Sequence, residues 1–284
     1  MEQGTYSLHV PANPEPTSPL ACTLARLSDA YENVRFVAGR PAGNGWFVLA
    51  DALADGALID GWFDAIRDTN GGHEAVAASF LASWLTGIVV EPVTSAIVRE
   101  RRAWSVAADD LVVHRHDEGW FDGLAIVNPR LVMLRGDRDS GHRDSVVVED
   151  VATLRSSVAT EIAGTLGMIF GAVRRRARLG LPVMWGAMAD SAGYAAVADA
   201  AARGCDRQAA FDEAMVFVDA IREVATMPRV RPSLVQVAWS GGVSHEIARG
   251  TCCLWYRTQI DPDPMGEGFC SSCPRRDPED RRRR

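Results

Sequence analysis

"LVVHRHDEGWFDGLAIVNPRLVML", residues 111 to 134, is where the chain changes its period. On both sides apolar residues recur three or four apart; here they alternate, with turn residues at Asp117 to Gly119 and at Asn128-Pro129. Alternation puts successive side chains on opposite faces of a strand, and turns this short join neighbouring strands directly. The stretch predicts three short strands in an antiparallel meander, set in a chain that is otherwise helical.

Before it, Leu49, Ala52, Leu53, Ile59, Trp62, Phe63 and Ile66 recur at helical spacing and stop at Asn70-Gly71-Gly72. The uncharged run from Ala75 to Val90 is shorter than the roughly 20 residues that cross a bilayer, so it reads as a buried helix closed by Glu91-Pro92. A further helix is expected from Val93 to Trp104. Nearer the start, Thr17 or Ser18 can cap a helix over Leu20, Leu24 and Leu27, with Pro19 in its first turn.

After the meander, Leu154, Val158, Ile162, Leu166, Ile169, Phe170 and Val173 mark a long helix. It ends in "RRRARLG", where cations suit the negative end of the helix dipole. Pro182 to Arg203 and Phe211 to Ala225 supply two more, and "SLVQVAW" reads as a strand. The expected class is α+β, a predominantly α-helical body with a small antiparallel β-sheet. Residues 1–17 are expected to form a flexible tail, 18–240 the body, 241–275 an irregular cysteine-bearing segment and 276–284 a basic tail.

With 284 residues, 47% of them apolar, the chain can bury a large core. A net charge of −7 argues against general nucleic-acid binding, which needs an excess of cations on one face. All 30 basic residues are arginine, a bias attributed to the base composition of the source genome. The polar, Pro-rich opening "MEQGTYSLHVPANPEPTSP" lacks the charged and apolar regions of a signal peptide, so a cytoplasmic location is expected.

Cysteine is concentrated at the other end. Four of six lie in the last eighth of the chain, as Cys252-Cys253 and then, after sixteen residues, Cys270-Ser271-Ser272-Cys273. In a reducing compartment such a group binds metal or does redox chemistry more readily than it forms disulfides. Four thiolates suit a [2Fe–2S] or [4Fe–4S] cluster, or a structural Zn²⁺. Zinc ribbons present two C-x₂₋₄-C hooks, and adjacent cysteines in an extended segment face opposite ways. Spacing therefore favours a two-centred iron–sulfur cluster, with zinc as the alternative.

"RGTCCLWYR" followed by "CSSCP" resembles the C-terminal signature of the ferric siderophore reductases of the FhuF type. The resemblance covers about the last 35 residues: Arg249, the Cys252-Cys253 pair, Leu254, Tyr256, Arg257, and Cys270 to Pro274. It implies that Cys252, Cys253, Cys270 and Cys273 hold a [2Fe–2S] cluster as cofactor. It further implies an oxidoreductase that passes one electron to siderophore-bound Fe(III), with Fe(II) released in the cytoplasm. The partners implied are a ferric siderophore, of hydroxamate type first, and an external donor such as a ferredoxin or reductase. The loop between Cys253 and Cys270 is longer than in the family, a change that costs little closure entropy.

No G-x-G-x-x-G follows a strand and no P-loop is present, so neither a nicotinamide nor a flavin site of the common kind is expected. A non-enzymatic interaction protein stapled by zinc, or an iron–sulfur redox sensor, are the other readings of the same cysteines. His114 and His116 share a strand face, as a metal pair requires, but no third ligand accompanies them. His245 lies seven residues before Cys252, where four cysteines already complete a ligand set. Trp120, Trp239 and Trp255 are candidates to line a chelate pocket, with a core role as the plainer reading. Cys22 and Cys205 read as small buried hydrophobes. The six arginines of "PRRDPEDRRRR" suit an acidic redox partner, an anionic chelate or peripheral contact with the inner membrane surface; a solvated tail is the plainer alternative.

Overall fold

A computed structural model of the chain describes residues 18–239, 242–258 and 268–277. The expected N-terminal tail, most of the loop between the cysteine pairs and residues 278–284 lie outside the described residues. The fold is α+β: among the described residues there are seven α-helices with small mixed and antiparallel sheets.

The first helix, α1 (Pro19–Ser28), starts where the sequence signals it. The Ser18 hydroxyl accepts from the Ala21 amide at 3.1 Å, satisfying one of the orphan donors of the first turn. Helices α2 (Leu49–Ala54) and α3 (Gly56–Thr69) split the predicted helix at Asp55, whose carboxylate caps α3 through the Leu58 amide. Helix α4 (Glu74–Glu100) is the axis of the molecule, packed against α1, α3, α5 (Val151–Arg176), α6 (Leu181–Ala202) and α7 (Arg207–Val224).

By length and composition α4 and α5 are apolar enough to cross a membrane, but 83% of the apolar window of α4 is buried within the protein. A helix apolar all round is what the centre of a helical body requires. The expected break at Pro92 does not occur, since α4 runs through it to Glu100. Proline inside a helix costs about 3 kcal/mol. Val89, Val90, Val93, Ala96 and Ile97 are all fully buried around it, and each large side chain contributes about 1.5–3 kcal/mol, which outweighs that cost.

Residues 102–104, expected to be helical, form strand β3 (Arg102–Trp104) instead. Arg101 takes the left-handed conformation at φ 55° and ends α4. Arg102 then turns inward, where Asp137 and Asp139 receive its guanidinium. A buried charge must be paired in this way, and the pairing fixes the direction of the strand.

The meander is only half realised. Strands β4 (Leu111–Arg115) and β5 (Phe121–Ile126) form the expected hairpin, with β1 (Arg35–Ala38) parallel to β5 and β2 (Trp46–Val48) antiparallel to β4. The third strand, β6 (Leu131–Leu134), leaves for another sheet, antiparallel to β3 and parallel to β7 (Ser145–Val148). Pro129 has no amide to continue a ladder with β5, and the register beside Ala103 places Leu131 and Met133 in the core. The sheets are thus mixed where a single antiparallel one was expected.

A third sheet, the hairpin of β8 (Ser233–Trp239) and β9 (Gly242–Ala248), packs β9 against α6 and delivers the chain to Arg249. The cysteine segment therefore begins at a fixed point on the helical body.

Candidate metal centre

The link between body and cysteines is one carboxylate. Asp190, midway along α6 and 4% exposed, accepts from the Gly250 amide at 2.7 Å, the Thr251 amide at 3.3 Å, the Thr251 hydroxyl at 2.7 Å and Arg249 Nε at 3.3 Å. A buried carboxylate is stable only when its oxygens are satisfied, and here three consecutive residues do so.

The identities of those residues follow. A Cβ on Gly250 would stand 2.6 Å from the Arg231 carbonyl oxygen, and one on Gly186 of α6 would stand 2.0 Å from the Thr251 methyl. "RGT" is thereby explained as a docking sequence for α6.

Directly after it, Leu254 adopts φ 64° and starts a short turn over Trp255–Arg257. The second cysteine pair closes a turn of its own, the Cys273 amide donating to the Cys270 carbonyl at 3.0 Å. The Arg249 amide holds this hook to the first, donating to the Ser272 carbonyl at 2.9 Å, and Arg276 closes the hook on itself, donating to the carbonyls of Cys270 at 2.9 Å and Phe269 at 2.6 Å. Arg276, expected to begin a solvated basic tail, is buried and belongs to the site. Its guanidinium fork reaches two carbonyls of the hook, a use that net charge along the tail does not reveal.

The four thiols are free. Cys253 Sγ lies 3.7 Å from Cys270 Sγ, and Cys252 is near enough to Cys273 and Cys253 to feel their charge. Two sulfurs bound at about 2.3 Å to one tetrahedral ion stand about 3.8 Å apart, so Cys253 and Cys270 already have the spacing of a two-thiolate hook. Among the described residues no three or more His, Cys, Asp or Glu side chains converge on one ion. Four soft donors brought together by two hooks are the set that either a [2Fe–2S] cluster or a structural Zn²⁺ takes.

The thiols differ in acidity. The hydrogen bond from Cys270 and the charge of Arg249 lower Cys253 to about 6, while the same hydrogen bond and burial push Cys270 up. Burial also raises Cys252. A thiolate at Cys253 is the metal-binding form.

A cavity of about 790 Å³ opens on the Cys253–Cys270 pair. Phe80 and Trp84 of α4, Tyr194 of α6, and Trp255 give it aromatic walls; Glu91, Asp190, Arg207, His245, Glu246 and Arg249 supply charge and hydrogen bonds. Phe80 and Trp255 stack at 5.9 Å. The volume lies within the roughly 300–1,000 Å³ of small-molecule sites.

Other candidates are distributed differently. His114 is held by Asp122 at 2.5 Å and His116 stacks on Trp120 at 4.1 Å, so they serve separate contacts and form no metal pair. His245 lines the cavity. Trp255 does too, whereas Trp120 lines a second, smaller one, and the side chain of Trp239 lies outside the described residues. Cys22 is partly buried; Cys205, expected in the core, is exposed in the turn after Gly204 that ends α6. Sequence reading missed Asp190, Glu91, Trp84 and Tyr194. The two acids carried a signal, each standing in or closing an apolar run of a core helix.

No protein-family model matches the chain, and no curated protein matches it.

Proposed function

We propose that the protein is a ferric-siderophore reductase that holds a [2Fe–2S] cluster on Cys252, Cys253, Cys270 and Cys273 and takes its substrate in the adjoining cavity. The observation that carries this reading is the pairing of Cys253 and Cys270 at 3.7 Å on the wall of an aromatic cavity of about 790 Å³. Bound there, the cluster would supply one electron at a time, within a potential window that reaches ferric chelates.

The protein's own residues do the rest. Phe80, Trp84, Tyr194 and Trp255 offer faces to the organic arms of a chelate and exclude water from the sulfur pair. Arg207 and Arg249 are offset by Asp190, Glu246 and a partly ionised Glu91, and thiolate at Cys253 adds negative charge, so the cavity disfavours an anionic chelate. Three monoanionic hydroxamates neutralise Fe³⁺, whereas three dianionic catecholates leave a trianion. The balance of charge favours the neutral hydroxamate chelate. Cys253 and Cys270 line the cavity and form the side of the site that faces substrate, whereas Cys273 is fully buried.

The reading places the enzyme in the cytoplasm, with its electron coming from a ferredoxin or a separate reductase. Replacement of Cys270 with Ser tests it: visible absorbance and Fe(II) release from a ferric tris-hydroxamate should both fall to background, while Cys22→Ser retains both. A Cys270→Ser protein that keeps its colour and its activity contradicts the ligand set.

A further inference from the structure

Glu91 is the one carboxyl that belongs to both cavities. It lines the large one with Cys253 and Cys270, and also a second of about 230 Å³ with Tyr31, Trp84 and Trp120. Ser83 and Trp84 are likewise common to both, so these three residues of α4 form the partition between them.

The space around its carboxyl is made by glycine. A Cβ on Gly87, one turn earlier, would stand 2.9 Å from Glu91 Oε1. Beside it in the cavity lining is the Ser191 hydroxyl, next to Asp190 on α6, which favours its ionised form. The fold thus keeps an acid at the wall of the candidate substrate cavity, beside a neutral hydroxyl.

Burial pushes this carboxyl up to about 7, against the opposing effects of Ser191 and the Arg249 charge. The groups that face it are Tyr31 from the loop after α1, Asp190 and Tyr194 from α6, and Arg249 with the two cysteines from the C-terminal segment; Arg207, His245 and Glu246 complete the charged lining. An acid whose pKa lies near neutrality is poised to give up a proton there.

Iron release from a hydroxamate needs such a proton. Reduction weakens the bond between iron and the hydroxamate oxygen, but the oxygen remains an anion that can bind again until it is protonated. Resting on the reductase reading of the same site, we propose that Glu91 is the general acid that protonates the departing hydroxamate oxygen. One electron from the external one-electron donor converts Fe(III) to Fe(II). The iron–oxygen bond breaks with its electron pair left on oxygen, that pair takes the proton of the Glu91 carboxyl, and the resulting carboxylate regains a proton from water by way of the second cavity.

Two measurements on the whole chain test this, with Glu91→Gln as the variant because the amide keeps size. The first needs no turnover: the infrared carbonyl band of a protonated carboxylic acid should be present at pH 6, vanish on titration through about 7, and be missing from Glu91→Gln. Wild-type protein without a band that Glu91→Gln removes overturns the proposal. The second is a single turnover of reduced protein with a ferric tris-hydroxamate, read by an Fe(II)-specific chelator. Release by wild type should slow as pH rises through about 7. Glu91→Gln should release about 100-fold more slowly at pH 6, with no such pH dependence, the lower end of what a general acid contributes. Binding of the redox-inert gallium(III) chelate should persist in the variant. Wild-type rate and pH profile in Glu91→Gln refute the role of Glu91 alone. A wild-type protein that neither binds the gallium chelate nor releases Fe(II) refutes the reductase reading and this role together.

Discussion

A single ionisable residue in a helix core leaves a mark on stability as well as on chemistry, and Glu91 is where that mark should be found. Its folded pKa of about 7 lies above the ordinary value of 4.5, so between those limits the folded chain binds more protons than the unfolded one. Stability is then full below about 4.5, falls as pH rises through the window, and levels off above about 7. Urea unfolding should show the protein losing of order 2 kcal/mol between pH 5 and pH 8 on this account, and Glu91→Gln losing correspondingly less. An unchanged difference between the two pH values in the variant would show that desolvation does not raise this carboxyl. Neighbouring residues sort by what they touch. Asp190 satisfies the backbone that carries Cys252, Arg276 ties the second hook, and Leu254 reverses the chain between them.

The elements divide by how local their causes are. Helix α1 was legible because Ser18 and Pro19 act within one turn, and α5 because Asp150 caps its start and Arg174 to Arg176 suit its end. The β4–β5 hairpin was legible for the same reason, since its turn closes within a few residues, the His116 amide donating to the Trp120 carbonyl. Long-range causes were not. The passage of α4 through Pro92 depends on helices that surround it, and the departure of β6 to another sheet depends on β3 and β7, which pair with it from both sides. The cysteines of the candidate centre were legible as residue types in a local pattern. Their organiser was not, because Asp190 lies 60 residues before the Gly250 amide it binds. Helix α6 therefore carries a prediction of its own: Asp190→Asn leaves buried donors facing an amide and should destabilise by about 1–3 kcal/mol. The variant should lower both the melting temperature and the metal content of the purified protein. Wild-type metal content in Asp190→Asn would mean that the C-terminal segment folds without its anchor on α6.

On the scale of the whole molecule, a helical body built around α4 supplies rigidity, and an irregular segment docked on α6 brings Cys253 and Cys270 to a cavity that α4 and α6 line. That division suits electron transfer, which needs donor and acceptor held close and asks little else of the side chains. The most direct test of the central claim is anaerobic purification followed by metal and sulfide analysis, with visible and EPR spectra before and after reduction and after mixing with a ferric tris-hydroxamate. The account predicts a reddish-brown protein with about two iron and two acid-labile sulfide per chain, a reduced-state EPR signal that disappears on mixing, and Fe(II) in solution. A colourless protein with zinc on the same cysteines, inert toward the chelate, would contradict it.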